Sequence, residues 1–145
     1  MFRALLLVAT SLLALAGCIS PLPPSPQEIE AKRFEAVAGK AVIYLVREDP
    51  DISRDPGTVA LDDNMMGSTY PGTFFRWVVE PGRHQIRGFA GDAGGMLIDV
   101  LPDRVYYVQH SYWRGFTGFG QSNFRLIPEA YGRSAVMRAE LAGGR

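Results

Sequence analysis

The sequence predicts an all-β fold, an antiparallel β-sandwich of about seven or eight strands with a short N-terminal helix. From residue 41 onward, short runs rich in β-branched and aromatic side chains alternate with Gly, Pro, Asp and Asn. This pattern is typical of strands joined by tight turns. The chain has 145 residues, which suffices for one domain of ordinary size but not for two with proper hydrophobic cores. We therefore expect one sandwich domain over residues 41–145.

The first 17 residues have the composition of a secretory signal peptide. Arg3 gives a positive start, and the run from Ala4 to Ala16 is apolar apart from Thr10 and Ser11. This run is too short to span a bilayer as a mature helix. We expect residues 1–17 to be removed on export.

The segment Leu15-Ala16-Gly17-Cys18 resembles the lipobox of bacterial lipoproteins. The two small residues let a peptidase approach the backbone, and the thiol of Cys18, the only cysteine in the chain, takes a diacylglyceryl group. Two or three acyl chains make such an attachment effectively permanent. Ile19, in place of Asp, favours sorting to the outer membrane, facing the periplasm. The alternative is an ordinary signal peptide with an incidental cysteine.

Residues 18–40 are predicted to join the lipidated cysteine to the domain. Four prolines lie between positions 21 and 26, and such a segment favours an extended polyproline spacer. Residues 27–37 mix charged and apolar side chains and predict a short helix that ends at Gly39.

The first strands follow directly. Residues 41–46 are apolar on both faces and predict a central strand, after which Arg47 leaves the sheet for a polar loop. Residues 58–61 and 65–69 flank Asp62-Asp63-Asn64. Because Asp and Asn tolerate left-handed conformations, these residues predict a tight hairpin.

The next strand, residues 73–80, alternates in character and places three apolar side chains on its core face, Phe75, Trp77 and Val79. Pro81-Gly82 is a turn signal, because Pro presets its φ and Gly is free to take a positive φ. The turn leads into a strand at residues 83–89, where His84 and Ile86 point to the same side.

Three further strands complete the prediction, at residues 96–101, 104–110 and 121–127. Alternation turns Asp99 toward solvent. Pro128 and Glu129 predict a final helix. Gly132 weakens that helix, and residues 134–138 fit a closing strand equally well.

Four segments of this pattern carry a resemblance: AVIYLVR at 41–47, VALDDNMMG at 59–67, PGRH at 81–84 and VYYV at 105–108. Their succession resembles a family of small bacterial lipoproteins catalogued as a domain of unknown function, over roughly residues 34–127. The middle portion is also similar to PEGA-type modules, which are extracellular β-sandwich domains. Asn64 stands where the PEGA pattern usually has Gly. The resemblance implies a β-sandwich in the cell envelope and carries over no catalytic residue.

Charge balance and the scarcity of titratable side chains argue against several functions. Fifteen Lys and Arg residues balance fifteen Asp and Glu residues, so no field attracts nucleic acid. His84 and His110 are the only histidines, and no HxxxH, CxxC or Gly-x-Ser-x-Gly motif is present, so neither a metal site nor a serine hydrolase is predicted. Ser111 is adjacent to His110 only in sequence, and His84 is a structural residue at a strand start. We expect no enzyme activity and no cofactor.

The candidate binding segment is a loop rich in aromatic residues and glycine, residues 110–124. Its proposed binding side chains are Tyr112, Trp113, Arg114, Phe116 and Phe119. Exposed rings beside an arginine suit stacking on sugars or docking to a partner. Alternatively, the rings fold back to cap one end of the sandwich. A third alternative is that Trp113 and Phe116 dip into the membrane interface, although a proline-rich spacer favours distance.

Two functions of different class follow. The first is a non-catalytic envelope lipoprotein, anchored in the membrane through lipid, that presents its sandwich to another envelope protein. The alternative is a periplasmic module that binds glycan or peptide through residues 110–124. A pocket lined by Tyr112, Trp113 and Phe116 would favour the module.

Overall fold

The computed structural model describes residues 23–62 and 64–143. Cys18 and the predicted signal peptide lie outside these ranges. Within them the chain forms two helices and ten strands. In chain order these are α1 (Pro26–Ala31), β1 (Ala41–Arg47), β2 (Gly57–Leu61), β3 (Asn64–Thr69), β4 (Thr73–Val79), β5 (Gly82–Arg87), β6 (Asp92–Ala93), β7 (Gly95–Val100), β8 (Arg104–Arg114), β9 (Gly120–Ile127), α2 (Glu129–Arg138) and β10 (Glu140–Leu141).

The strands form two sheets, which confirms the all-β sandwich. The large sheet has the order β10-β4-β1-β8-β9-β6, and the small sheet has the order β3-β2-β5-β7. Pairing is mostly antiparallel, but β1 runs parallel to β8, β10 parallel to β4, and β6 parallel to β9. The two strands beyond the predicted number are β6 and β10, which have only two residues each.

Strand β1 is central, as predicted, and all seven of its residues are buried. Ile43 and Leu45 contribute to an inter-sheet core together with Trp77, Ile86 and Phe124. The opposite face of the large sheet is covered by the two helices. There the helix-covered core is built from Phe34, Tyr44, Phe74, Tyr107, Ala135 and Val136.

The predicted hairpin at residues 62–64 is present, because β2 and β3 pair antiparallel and Asp62 has a φ of +53°. The Trp77 face of β4 lies in the inter-sheet core, also as predicted. The other face of β4 is not simply solvent-exposed, because Phe74 is fully buried under the helices. Strand β5 places Ile86 in the interior, and Asp99 on β7 is exposed.

The prediction that Arg47 leaves the sheet is wrong. Arg47 is the last residue of β1, pairs with Thr73 of β4 and is fully buried. A guanidinium is almost never fully buried unless it is paired, and the structure supplies its partners locally, as described below.

The N-terminal helix is shorter than predicted and belongs to the folded unit. It ends at Ala31, and its first turn is capped by Ser25, whose Oγ accepts a hydrogen bond from Glu28 N at 3.1 Å. The chain then turns at Phe34, which has a φ of +59°. This turn buries the Phe34 ring beside Tyr44, with ring centroids 5.4 Å apart. The helix and the turn after it therefore pack against the sandwich through Ala31 and Phe34.

The C-terminal helix is the alternative that the structure adopts. Gly132, which weakens the helix in isolation, is required by the packing: a Cβ at this position would lie 2.3 Å from Tyr107 Cγ. The missing side chain lets α2 approach the large sheet closely. Neither helix in the described part of the chain is long and apolar enough to cross a membrane.

Candidate functional site: the tip of the β8–β9 hairpin

The segment predicted as a loop over residues 110–124 is largely strand. Strand β8 continues to Arg114, and β9 starts at Gly120, which pairs with Arg114. Only residues 115–119 form the connection. Tyr112 and Trp113 therefore lie on a strand, where successive side chains point to opposite faces.

This alternation divides the aromatic residues into two groups. Tyr112 is fully buried and Phe124 is nearly so. Trp113 is 36% exposed, Phe119 is 62% exposed, and Phe116 is fully exposed. Of the alternatives left open by the sequence, burial holds for one group of rings and exposure for the other.

The turn that carries the exposed rings is hydrogen bonded within itself. Gly115 N donates to Phe119 O and Gly118 N donates to Gly115 O, both at 3.0 Å. Gly118 has a φ of +82°, in the region that favours glycine. Arg114 Nη1 donates to Gly118 O at 3.1 Å. The arginine thus contacts the turn from its own strand.

The loop between β1 and β2 lies beside this turn. Arg114 Nε is 3.6 Å from Asp55 Oδ2, and Tyr112 N donates to Asp51 Oδ2 at 3.0 Å. Ile52, between these two contacts, is 71% exposed. We call the four exposed apolar side chains at this end the apolar tip: Ile52, Trp113, Phe116 and Phe119.

Below the tip, buried charge holds the β1–β2 loop. Arg47 Nε donates to Asp51 Oδ2 at 2.6 Å. Its Nη1 donates to Asp55 O at 2.8 Å and its Nη2 to Ser53 O at 2.5 Å. The Arg47 guanidinium also lies 5.3 Å from the centre of the Tyr112 ring. One side chain therefore fixes the path of residues 51–55.

A second carboxylate holds the loop before β7. Tyr112 Oη donates to Asp92 Oδ1 at 3.0 Å, and Thr58 N donates to Asp92 Oδ2 at 2.8 Å. Burial raises the pKa of Asp92, but the hydrogen bonds from Thr58 and Tyr112 outweigh it, so that the pKa is lowered. A Cβ at Gly120 would lie 1.9 Å from Asp92 Oδ1, so a side chain there would displace the Asp92 carboxylate from its hydrogen bonds.

His110 lies at the base of the same end, in a chain of hydroxyl groups. Its Nδ1 is 3.0 Å from Thr69 Oγ1 and its Nε2 is 3.0 Å from Ser122 Oγ. Because Thr69 Oγ1 donates to Gly57 O, the network assigns the ring proton to Nδ1 and makes Nε2 the acceptor. Burial, followed by the charge of Arg47, lowers the pKa of His110 to about 4. The ring is therefore neutral near pH 7.

The Ser122 hydroxyl is hydrogen bonded to His110, as a nucleophile is to its base in a hydrolase. The sequence did not indicate this pair, because the serine next to His110 in the chain is Ser111. Nucleophilic catalysis also needs access for a substrate and an oriented base. Both residues are buried, and Thr69 occupies the position at which a serine hydrolase has a carboxylate. We interpret the pair as structural, and we call Arg47, Asp51, Asp92, His110 and Tyr112 the tip network.

His84 lies elsewhere, at the start of β5, and both of its ring nitrogens are engaged. Nδ1 is 2.9 Å from Asp62 Oδ2 and Nε2 is 2.7 Å from Glu80 O. Burial lowers the pKa of His84, but these hydrogen bonds outweigh it and the pKa is raised. Two acceptors on one ring suit the protonated form. No cluster of three or more His, Cys, Asp or Glu side chains that could hold a metal ion occurs among the described residues.

Sequence reasoning found three of the four residues of the apolar tip, Trp113, Phe116 and Phe119, and the neighbouring Arg114. It missed Ile52 and most of the tip network. A usable signal was present: Arg47 directly follows a fully apolar strand and precedes Asp51 and Asp55. In comparisons with known proteins, the chain matches no family model, no curated protein and no solved structure. Function is therefore inferred from the geometry of the chain itself.

Proposed function

We propose that this protein is a lipid-anchored protein of the cell envelope that binds a partner through the apolar tip and catalyses no reaction. Acylation of Cys18 holds it in the outer membrane, where the domain faces the periplasm. The sequence supports the anchor through the apolar run and the lipobox-like segment Leu15-Ala16-Gly17-Cys18.

The observation that carries the binding function is the combination of exposed rings with a braced base. Phe116 is fully exposed and Phe119 is mostly so, although exposure of large apolar side chains is unfavourable in water. At the base of this end, Arg47 donates hydrogen bonds to the backbone carbonyls of Ser53 and Asp55, and Tyr112 of β8 is held through its hydroxyl by Asp92. Binding residues are commonly presented on loops that a rigid scaffold positions. This arrangement supports a surface selected for contact.

The absence of catalysis is supported by the state of both histidines. His110 is buried with Ser122, and His84 has both nitrogens hydrogen bonded. Neither side chain is free to move a proton on a substrate.

A second candidate is the glycan- or peptide-binding module. It is favoured by Arg114, whose side chain is 49% exposed, next to the partly exposed Trp113 on β8. An arginine beside an aromatic ring suits recognition of a polar ligand by stacking and hydrogen bonding.

The anchor is tested by the variant Cys18→Ala in cells supplied with a clickable fatty acid. We expect the wild-type protein to take up label and to fractionate with membrane, and the variant to lose both properties. Label on the variant would contradict acylation at Cys18.

The binding surface is tested by a photo-crosslinking amino acid placed at position 116 in the native envelope. Position 101 is the matched control, because Leu101 is also an exposed apolar residue but precedes β8, at the far end of the sandwich. We expect adducts from position 116 and few from position 101. Equal yields at both positions would contradict a binding role for the tip.

A further inference from the structure

We propose that the apolar tip inserts into the interface of the same membrane that carries the acyl anchor, so that the domain lies against the lipid surface. This inference rests on the proposed anchoring at Cys18 and names the partner of the proposed binding surface: a phospholipid surface.

The shape of the tip favours a lipid interface over a small ligand. Small-molecule sites are concave and enclose most of their ligand. Phe116 is instead fully exposed in the connection between β8 and β9, and Ile52 projects from the neighbouring loop with 71% of its surface exposed. Separated apolar side chains that are exposed at one end can all enter a soft, deformable phase together.

The order of side chains along the hairpin also suits an interface. The apolar residues Phe116 and Phe119 lie in or next to the turn, whereas Trp113 and Arg114 lie one step back on β8. Trp is enriched at the level of lipid headgroups, because its ring is amphipathic. Arg54 and Arg114 are offset at the same end by the exposed Asp49 and Asp55, so their attraction to lipid headgroups lies in guanidinium–phosphate hydrogen bonds rather than in net charge.

The length of chain before the fold keeps this end near the anchor. Pro23 follows Cys18 by five residues (23 − 18 = 5), which span at most about 18 Å when fully extended. The first helix is attached where Glu28 Oε2 accepts a hydrogen bond from Leu141 N at 3.3 Å. An acyl group on Cys18 therefore cannot hold the domain far from the bilayer.

The point of attachment lies toward the tip rather than away from it. Leu141 of β10 pairs with Phe74, near the start of β4. The start of β4 pairs in turn with the end of β1, where Arg47 is opposite Thr73. The β1–β2 loop and the extended end of β8 leave the large sheet in this same direction. Anchor and tip thus lie toward one end of the sandwich.

The test uses a single fluorescent label on the full lipidated protein. Cys18 is the only cysteine of the chain, and acylation blocks its thiol. The thiol introduced by Phe116→Cys is therefore the single site that an NBD fluorophore labels. Leu101→Cys provides the matched control. Each protein is reconstituted into vesicles of phosphatidylethanolamine and phosphatidylglycerol, and flotation with the vesicles is measured in the same sample.

We expect both proteins to float with the vesicles. We also expect NBD emission to rise about twofold or more on reconstitution when the label is at position 116, and not when it is at position 101. The reason is that interfacial side chains are buried about 5–10 Å into the headgroup boundary. The added change Phe119→Ser should reduce that rise. Flotation without a rise at position 116 overturns the inference and leaves the anchor intact. Failure to float overturns the anchor and the inference with it. A rise caused by peptidoglycan fragments without vesicles assigns the tip to glycan and overturns the lipid partner.

Discussion

The helix-covered core and the tip end arrange polar and apolar groups in opposite ways. Under α1 and α2 the interior is apolar, with Tyr44 stacked on Tyr107 at 5.3 Å, while charged side chains such as Arg133 and Glu129 pair on the outside. At the tip end a charged pair, Arg47 and Asp51, is buried, and phenylalanines face solvent. The first arrangement is what stability alone favours. The second arrangement shows that buried charge fixes the backbone at this end while its apolar rings stay exposed.

The largest expected effect breaks the buried pair. The variant Arg47→Met leaves Asp51 buried without its cation and frees the carbonyl groups of Ser53 and Asp55, so we expect a loss of about 3–5 kcal/mol in the free energy of unfolding. Urea denaturation measures this loss. In the control Arg138→Met, an exposed pair with Glu48 is removed, and we expect less than about 1 kcal/mol. Equal losses in the two variants would mean that the tip network is no more important than surface charge.

The second prediction compares one phenylalanine from each region. Phe74→Ala removes a fully buried ring from the helix-covered core, and we expect a loss of about 3–5 kcal/mol in the free energy of unfolding. Phe116→Ala removes a fully exposed ring, and we expect a change within about 0.5 kcal/mol. Thermal unfolding followed by circular dichroism measures both. A destabilised Phe116→Ala variant would show that this ring belongs to the core after all.

The smallest expected effect is a pH dependence of the free energy of unfolding that arises from one group at the tip end, His110. Burial lowers the pKa of His110 to about 4 from its ordinary value of 6.5. The unfolded chain therefore binds more protons than the folded protein between these values, and the stability is present above about pH 6.5 and lost as the pH falls toward 4. We expect this group to contribute at most about 3 kcal/mol to that loss.

The check for His110 is a comparison of slopes. The free energy of unfolding is measured by urea titration at several pH values between 4 and 6.5 for the wild type and for His110→Gln, which cannot titrate. We expect a flatter dependence in the variant, whatever its absolute stability. Parallel curves would show that His110 does not cause the acid sensitivity.

Much of the fold could be predicted from the sequence because its signals are local. The apolar run of β1, the turn after Glu80 and the hairpin at Asp62 depend on neighbours in the chain, and each is present in the structure. What could not be predicted depends on contacts distant in sequence. Gly132 is favourable only because Tyr107 lies against it, and the end of β8 is decided by its pairing with β9.

The candidate site was predicted in outline for the same reason. Aromatic and glycine content marked the segment, but it could not separate Tyr112 from Trp113, since the direction of each side chain depends on strand register. Ile52 carried no signal of its own. Ile52 lies at the tip because its neighbours are held there: Asp51 binds Arg47 of β1, and Asp55 binds Arg114 of β8.

The parallel pairing of β1 with β8 has a consequence for how the chain reaches its fold. Ala41 pairs with Arg104, 63 positions later (104 − 41 = 63), so the middle of the large sheet cannot close until most of the chain is available. Pairings this distant in sequence fold slowly, because loop-closure entropy is lost before the contacts form. A chain that emerges from its N-terminus exposes the β8-facing edge of the apolar β1 long before β8 arrives. We expect this interval to be the stage at which the protein depends most on a holding chaperone.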